Sequence, residues 1–351
     1  MKASEIIDAH KLLTRYATGE RNFSAANLIA ASLKDVKLNR INLSNATLQG
    51  SNLSRARLIG ANLNGADLSQ VNLSMAVLVE ANLSGASLTD TILRHADLSG
   101  VLLSGAILSH SDLTGANLTS ASLISACLLN GCKLTDAILV GATLSRAILS
   151  GADLSGANLT RTILSEVDLS GANLTGAKFV RSHLNRANLS GANLVNADFS
   201  EASLREANLG VANLTGVNLQ GADLSGANLN GANLNGSHLQ DANLQNTNLN
   251  GLSLHNADLR HADLTQANLR GANLSGANLE GATLLEADLR GANLSHANLT
   301  GAGLLLTSLK GANLTGANLC ETNLIGASLG IGNLNEATLE GAILPNGATY
   351  S

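Results

Sequence analysis

Gly151-Ala152-Asp153-Leu154-Ser155-Gly156-Ala157-Asn158-Leu159-Thr160 states one five-residue phrase twice. The phrase runs outward in both directions, from about Phe23 to Leu344. With Leu taken as the centre, every fifth residue from Leu28 to Leu128 is Leu, and Phe23 fits one step earlier. A second run holds from Leu134 to Leu344, with only Phe179 and Phe199 replacing Leu. A small residue, usually Ala, stands two before each centre, and Asn or Asp most often stands just before it. Ser or Thr follows, then often Gly.

A period of five fits neither regular element. On an α-helix five residues advance about 500°, so the Leu side chains would spiral around the axis and form no stripe. On a flat strand an odd spacing sends alternate Leu residues to opposite faces. The pattern works only if direction is reset in every repeat. A short extended piece puts Ala and Leu on one inward side, and a turn of Asn, Asp, Ser and Gly follows. Turning repeatedly in one sense builds a solenoid with an Ala/Leu interior.

Substitutions set the number of repeats per coil. Phe179 and Phe199 lie 20 residues apart, and Arg146, Glu166, Arg186 and Glu206 alternate in sign at the same interval. Coils stacked about 4.8 Å apart would bring such residues together, so four repeats should close one coil. The phrases Gly-Ala-Asn-Leu-Ser and Gly-Ala-Asp-Leu-Ser resemble the A(D/N)LXX signature of the pentapeptide-repeat family, over more than nine-tenths of the chain. The resemblance implies an all-β protein, a right-handed quadrilateral β-helix. The 65 centres would make about 16 coils and a rod roughly 75–80 Å long. Residues 1–21 are expected to form an N-terminal helical cap, 22–344 the β-helix, and 345–351 a closing turn. The lead-in Arg15-Tyr16-Ala17-Thr18-Gly19-Glu20-Arg21 resembles cyanobacterial members.

Composition agrees with a narrow interior. The 351 residues include one Pro, no Trp and 1% aromatics. No long apolar run suits a transmembrane helix, and Met1-Lys2-Ala3-Ser4-Glu5 lacks a signal peptide's apolar stretch, so a cytoplasmic location is expected. Three Cys make no disulfide framework. The net charge of −5 is mild for this length.

Before the repeats, Ile6, Ala9, Leu13 and Tyr16 recur at helical spacing, with Ser4 as a candidate N-cap and Gly19 as a candidate stop. This helix reads as a plug over the first Leu layer, the alternative being a docking helix for a partner. Lys34, Lys37, Arg40, Arg55 and Arg57 form a loose basic cluster that reads as solvated surface. Ile92, Leu102, Ile107, Ile138, Ile148 and Ile163 replace the polar residue before their centres, and as isolated outward residues need no explanation. Between Leu128 and Leu134 the centres are six apart, so one residue is inserted near 129–133. Asn130-Gly131 should supply the unusual backbone angles, and Cys132 takes the small inward position while Cys127 precedes a centre. The reading is a tolerated insertion with a reduced thiol, against a redox pair or metal site. Further along, Lys178 with Asp198, His238 with Asp258, and Arg181 with Glu201 share columns at 20-residue steps.

The C-terminal repeats depart from the pattern. Leu285, Leu305 and Ile325 replace Ser, Thr or Asn just after their centres at 20-residue steps, with Leu306 adjoining. On the next face Arg270, Arg290 and Lys310 form a same-sign column, with Ile331 nearby. An apolar outer column marks an interaction surface, and because the family resemblance implies dimerisation through C-terminal coils, this patch is expected to be a homodimer contact. The last coil should also present a row of open backbone groups, with Pro345 blocking further ladder bonds.

Catalysis needs convergent groups in a cleft. The eight His are scattered, and no catalytic, phosphate-loop or zinc motif is present. No enzyme activity, cofactor, metal, membrane contact or direct nucleic-acid binding is expected. The leading reading is a non-enzymatic structural or protein-interaction rod with a protein partner. The alternative is a DNA mimic that binds topoisomerase or gyrase, as the family's quinolone-resistance members do. Mimicry needs a strongly negative surface, whereas 21 Lys and Arg nearly offset 26 Asp and Glu.

Overall fold

The computed structural model describes residues 7–128, 131–330, 334 and 336–351. Each pentapeptide contributes one side of a four-sided β-helix. The Leu carbonyl closes the turn by accepting from the N–H three residues on, as in Ala46 to Leu43 at 3.0 Å. The third residue of that turn has positive φ, +64° at Gly65 and +55° at Asn45. Left-handed backbone is open to Gly and tolerable to Asn, which is why the phrase ends as it does.

The extended piece of each side bonds to the coils on both sides. Leu43 N–H donates to Asn62 O at 2.7 Å, and Asn62 N–H donates to Ile41 O at 2.9 Å. Parallel pairs join residues 20 apart, such as Asn42 with Asn62 and Asn273 with Asn293, so four repeats close one coil as expected. Nearly all the central Leu and preceding Ala side chains are buried, and each enclosed Leu stabilises the fold by about 1.5–3 kcal/mol relative to exposure. Where Ser or Thr replaces the inward Ala, its hydroxyl usually donates to a backbone carbonyl, as Thr91 does to Leu68 O at 2.8 Å and Ser182 to Phe179 O at 2.6 Å. That bond offsets the cost of burying the hydroxyl.

Asn before the centre does two jobs. Its Oδ1 accepts from the N–H two residues on, fixing the turn, and its Nδ2 donates to the same position one coil back. Asn62 shows both, to Asn64 N at 3.2 Å and Asn42 Oδ1 at 3.2 Å. Asp can only accept, and it accepts from the Asn of the next coil at Asp97 beneath Asn117 and at Asp153 beneath Asn173.

The chain divides into two compact units, Met1–Lys178 and Phe179–Ser351. In the first, helix α1 spans Ala9–Ala17. Asp8 caps it by accepting from Lys11 N–H at 2.7 Å; Ser4 and Ile6 lie outside the described residues. At the other end Gly19 N–H reaches Tyr16 O and Glu20 N–H reaches Arg15 O, each at 3.1 Å, with Gly19 at φ +100°. This is a Schellman stop. Leu12, absent from the expected apolar face, is its most buried residue, while Ala9, Leu13 and Tyr16 are half-buried. The helix lies on the first coil: Tyr16 Oη donates to Asn39 O at 3.0 Å, and the Arg15 guanidinium stands 5.3 Å from the Phe23 ring centroid.

The inserted residue also belongs to this unit. Pairing steps lengthen from 20 to 21 residues for one coil, from Asp112 with Lys133 to Cys127 with Ile148, and return to 20 at Lys133 with Asp153. One corner absorbs the extra residue, and the ladders on either side keep their register. Gly131 takes φ +82°; Leu129 and Asn130 lie outside the described residues.

In the second unit the interior opens towards its end. Leu324 is fully buried, whereas Leu329, Leu334, Leu339 and Leu344 are half-buried. One side of the last coil differs from expectation, because the tail turns back along it. Leu344 N–H donates to Ala348 O at 2.7 Å, Tyr350 N–H to Ala342 O at 2.8 Å, and Ile343 pairs antiparallel with Thr349. Pro345 still serves the ladder, since its carbonyl accepts from Gly326 N–H at 3.1 Å.

Candidate interaction surface

On each side two outward columns run across the coils, one before and one after the centre, and a third stands at the turn. The ladder stacks every such column at about 4.8 Å per coil. Function can be written only in these columns, because the inward positions are filled with Ala and Leu.

Leu285, Leu305 and Ile325 occupy the column after the centre on three consecutive coils. Their flanking residues Thr283, Gly303 and Asn323 pair in sequence, and their carbonyls accept from Gln266, Glu286 and Leu306 at 2.8, 3.0 and 3.0 Å. Leu306 stands on the adjoining corner, 53% exposed, at φ +58°. It leans over the bare corner of the next coil, where a Cβ on Gly326 would lie 2.7 Å from its Cδ2. These four side chains form one continuous apolar strip. Ile331 lies outside the described residues.

Around that corner, Arg270, Arg290 and Lys310 stack on consecutive coils, as Gly271 and Gly291 N–H donating to Arg290 and Lys310 carbonyls show. All three are exposed, but they differ electrically. Arg290 Nε donates to Asp288 Oδ1 at 2.8 Å, and the same guanidinium also pairs with Asp288 Oδ2. The Arg290 hydrogen bond holds the Asp288 carboxyl below its ordinary pKa against its partial burial, and the Arg270 charge adds to this. Among the described residues Arg270 and Lys310 make no ion pair. The same-sign column therefore carries two open cations and one neutralised one.

Two of the outward apolar residues in the first unit, Ile107 and Ile148, are not isolated, whereas Ile92 and Ile138 have only polar neighbours along their columns. Ile107, Cys127 and Ile148 stand on three consecutive coils, joined by the pairs Ile107 with Cys127 and Cys127 with Ile148. Leu102, Ile124 and Ile163 lie on the adjoining side, at 45%, 42% and 42% exposure. The insertion hides this column in the sequence, because it makes one of the two steps 21 residues. Counting steps across the insertion would have found it.

Charged corners pair along the ladder. Arg146 meets Glu166 at 2.9 Å, Arg181 meets Glu201 at 2.8 Å, and Arg186 meets Glu206 at 2.8 Å. Arg55 of the basic cluster is neutralised by Asp35 at 2.7 Å. His238 and Asp258 do stand on neighbouring coils, but Asp258 is bound by Arg260 at 2.7 Å and by the Gln240 amide. All three Cys are free thiols. Burial pushes the Cys132 thiol up to about 12, although it lies 3.4 Å from the Ser111 hydroxyl. Among the described residues no group of three His, Cys, Asp or Glu could hold a metal ion, and no helix is long and apolar enough to cross a membrane.

A family model described as pentapeptide repeats matches this chain in successive segments from 22–60 to 307–344. Among solved structures the chain is similar to HetL, a pentapeptide repeat protein involved in heterocyst differentiation regulation from the cyanobacterium Nostoc sp. strain PCC 7120. Identity is 30%, over 98% of this chain and 100% of that one, with a TM-score of 0.29. A pentapeptide repeat protein from the Arabidopsis thaliana thylakoid lumen is 38% identical over 31% of this chain and 69% of its own, with a TM-score of 0.23. QnrB1, a plasmid-mediated fluoroquinolone resistance protein, is 22% identical over 60% of this chain and 90% of its own, with a TM-score of 0.32. Comparison with curated proteins finds no match. The signature, the 20-residue ladder and the matched segments agree: this chain belongs to the pentapeptide-repeat family.

Proposed function

We propose that this chain is a non-enzymatic protein-binding β-helix, and that its C-terminal coils are the binding surface. The observation that carries the reading is the strip of Leu285, Leu305 and Ile325 on consecutive coils with Leu306 beside it. The first unit also carries an outward column, Ile107, Cys127 and Ile148, but the C-terminal strip adds the protruding corner residue Leu306, and an apolar patch on an exposed face favours association. HetL, 30% identical along its whole length, is involved in heterocyst differentiation regulation. The expected cytoplasmic location belongs to the same proposal, and the thylakoid-lumen relative shows that family members occupy other compartments as well.

The test is a photocrosslinking side chain placed at Leu305, with the same group at Ser150 as a control, in an extract of the source organism. Specific protein adducts at 305 and none at 150 are expected. Equal labelling at both positions would overturn the reading.

The homodimer has its own support in the half-buried Leu334 and Leu339 of the closing coil. Light scattering should show a dimer that Leu339→Glu dissociates and Leu305→Asp leaves intact. A monomer at high concentration would defeat it. Gyrase binding by DNA mimicry is disfavoured, because Asp35, Glu166, Glu201 and Glu206 are each paired with an Arg. Supercoiling by DNA gyrase should be unaffected by this protein.

A further inference from the structure

We infer that the occupant of the C-terminal strip is an acidic amphipathic α-helix of a partner protein, laid along the stacking direction of the coils over the Leu306 corner. The inference rests on the reading of this strip as a protein-binding surface, and adds what kind of segment fits it.

Three physical features select a helix. The backbone groups of these coils are consumed by the ladder, as at Gln266 N–H to Leu285 O and Leu306 N–H to Ile325 O, so no free edge is offered to an added strand. The rungs of the strip repeat at about 4.8 Å, while a helix repeats at about 5.4 Å per turn. Apolar residues at i, i+4 and i+7 therefore stay within reach of Leu285, Leu305 and Ile325 over three rungs. A strand laid in the same direction repeats its inward side chains at about 6.8 Å and falls out of step by the third rung. Leu306, on the corner, would fill the groove beside that apolar stripe.

Charge selects an acidic helix. Arg270 and Lys310 flank the strip from the adjoining side, two coils apart, without ion-pair partners among the described residues. Two coils span about 9.6 Å, close to the roughly 10.5 Å between residues i and i+7 of a helix. Two carboxylates on one edge of the partner helix would meet both cations. The carboxylate of the shared corner, Glu286, is held by the Gln266 amide at 2.8 Å, and Asp288 is held by Arg290. Asp288 is thereby neutralised, while Glu286 keeps its charge and is outnumbered by the two cations beside the strip. An apolar stripe edged with positive charge thus matches an apolar stripe edged with negative charge.

The test uses three labelled peptides of about 15 residues, long enough to form helix on binding. One has Leu at helical spacing and Glu along its edge, the second has Lys in place of Glu, and the third is a scramble of the first. Fluorescence anisotropy with the full chain should show binding of the Glu peptide alone, weakened by added salt. Leu306→Asp, and separately Arg270→Glu with Lys310→Glu, should each lower its affinity by at least about tenfold. These side chains are exposed, so circular dichroism should show the fold of each variant unchanged. Equal binding of the Lys peptide, no binding of the Glu peptide, or indifference to the charge reversals would overturn the inference. If crosslinking at 305 still captures a partner in that case, the surface stands and only its assigned occupant falls.

Discussion

The rings of Phe179 and Phe199 stack face to face, with centroids 4.4 Å apart and planes within 5° of parallel. Both are fully buried, and they occupy the same central position one coil apart. The ladder spacing sets this contact, because neighbouring rungs approach to nearly the thickness of an aromatic ring. Phe179→Ala should cost about 3–5 kcal/mol, through lost burial and the cavity left behind. Phe179→Leu restores the residue used at almost every other centre and should cost well under half as much. Thermal unfolding of the two variants checks this, and equal losses would contradict it.

The corners make a separate prediction. Val211 holds φ +51° and is 69% exposed, so a β-branched residue bears left-handed backbone without packing in return. Val211→Gly should raise stability by up to about 1 kcal/mol. Gly251 holds φ +68°, and nothing lies within 4 Å of where its Cβ would be. Gly251→Val should therefore destabilise through backbone strain alone, despite the open space. A melting temperature unchanged in both variants would show that the corner conformation is not limiting.

The Asp and Asn ladder gives a pH dependence with a definite sign. Partial burial raises the Asp153 pKa, but the Ser155 hydroxyl and N–H, the Thr135 hydroxyl and the Asn173 amide outweigh it and hold the carboxyl below its ordinary value. A depressed folded pKa adds stability above the unfolded value of about 3.9, and that stability is lost as pH falls through the folded value. Asp112, Asp258, Asp263 and Asp288 are lowered likewise. The melting temperature should hold steady from neutrality to about pH 4 and fall below it.

Inverting one rung inverts that behaviour. Asn173 Nδ2 donates to Asp153 Oδ1 at 3.0 Å. Asn173→Asp would face two carboxylates across one ladder step, at a cost of about 1–3 kcal/mol at neutral pH. Protonating either one relieves the repulsion, so the deficit should shrink as pH approaches about 4. A deficit independent of pH would place its cause elsewhere.

Thiol reactivity tests the corner that carries the insertion. Cys132 is buried with its pKa near 12, whereas Cys127 and Cys320 are partly exposed. Near neutral pH a thiol reagent should label Cys127 and Cys320 in the folded protein, and Cys132 only after unfolding. Mass mapping of the alkylated peptides reads this directly, and early labelling of Cys132 would contradict its burial.

The fold was legible because period five admits one solution: Leu and Ala can face one interior only if a turn follows each short extended piece. The Phe and Arg/Glu spacings closed the coil at 20 residues for the same reason, since stacked positions must tolerate one another. Other features were not legible because they depend on contacts distant in sequence. Leu12 lies inward because of how α1 rests on the first coil. The column of Ile107, Cys127 and Ile148 is broken in the sequence by one extra residue. Arg290 is a different case, because its partner Asp288 lies only two residues away, and the same spacing at Asp258 and Arg260 makes that pairing readable locally.

The sequence by itself determined the architecture, through a local rule repeated until no other packing could satisfy it: small and Leu residues inward, Asn and Asp at the ladder, Gly or a polar residue at the corner. Tertiary structure alone decided which outward residues become neighbours across the coils. Stacking sets side by side residues that are 20 or 21 positions apart, and only in the folded coils do Leu285, Leu305, Leu306 and Ile325 become one surface beside two cations that have no ion-pair partner among the described residues.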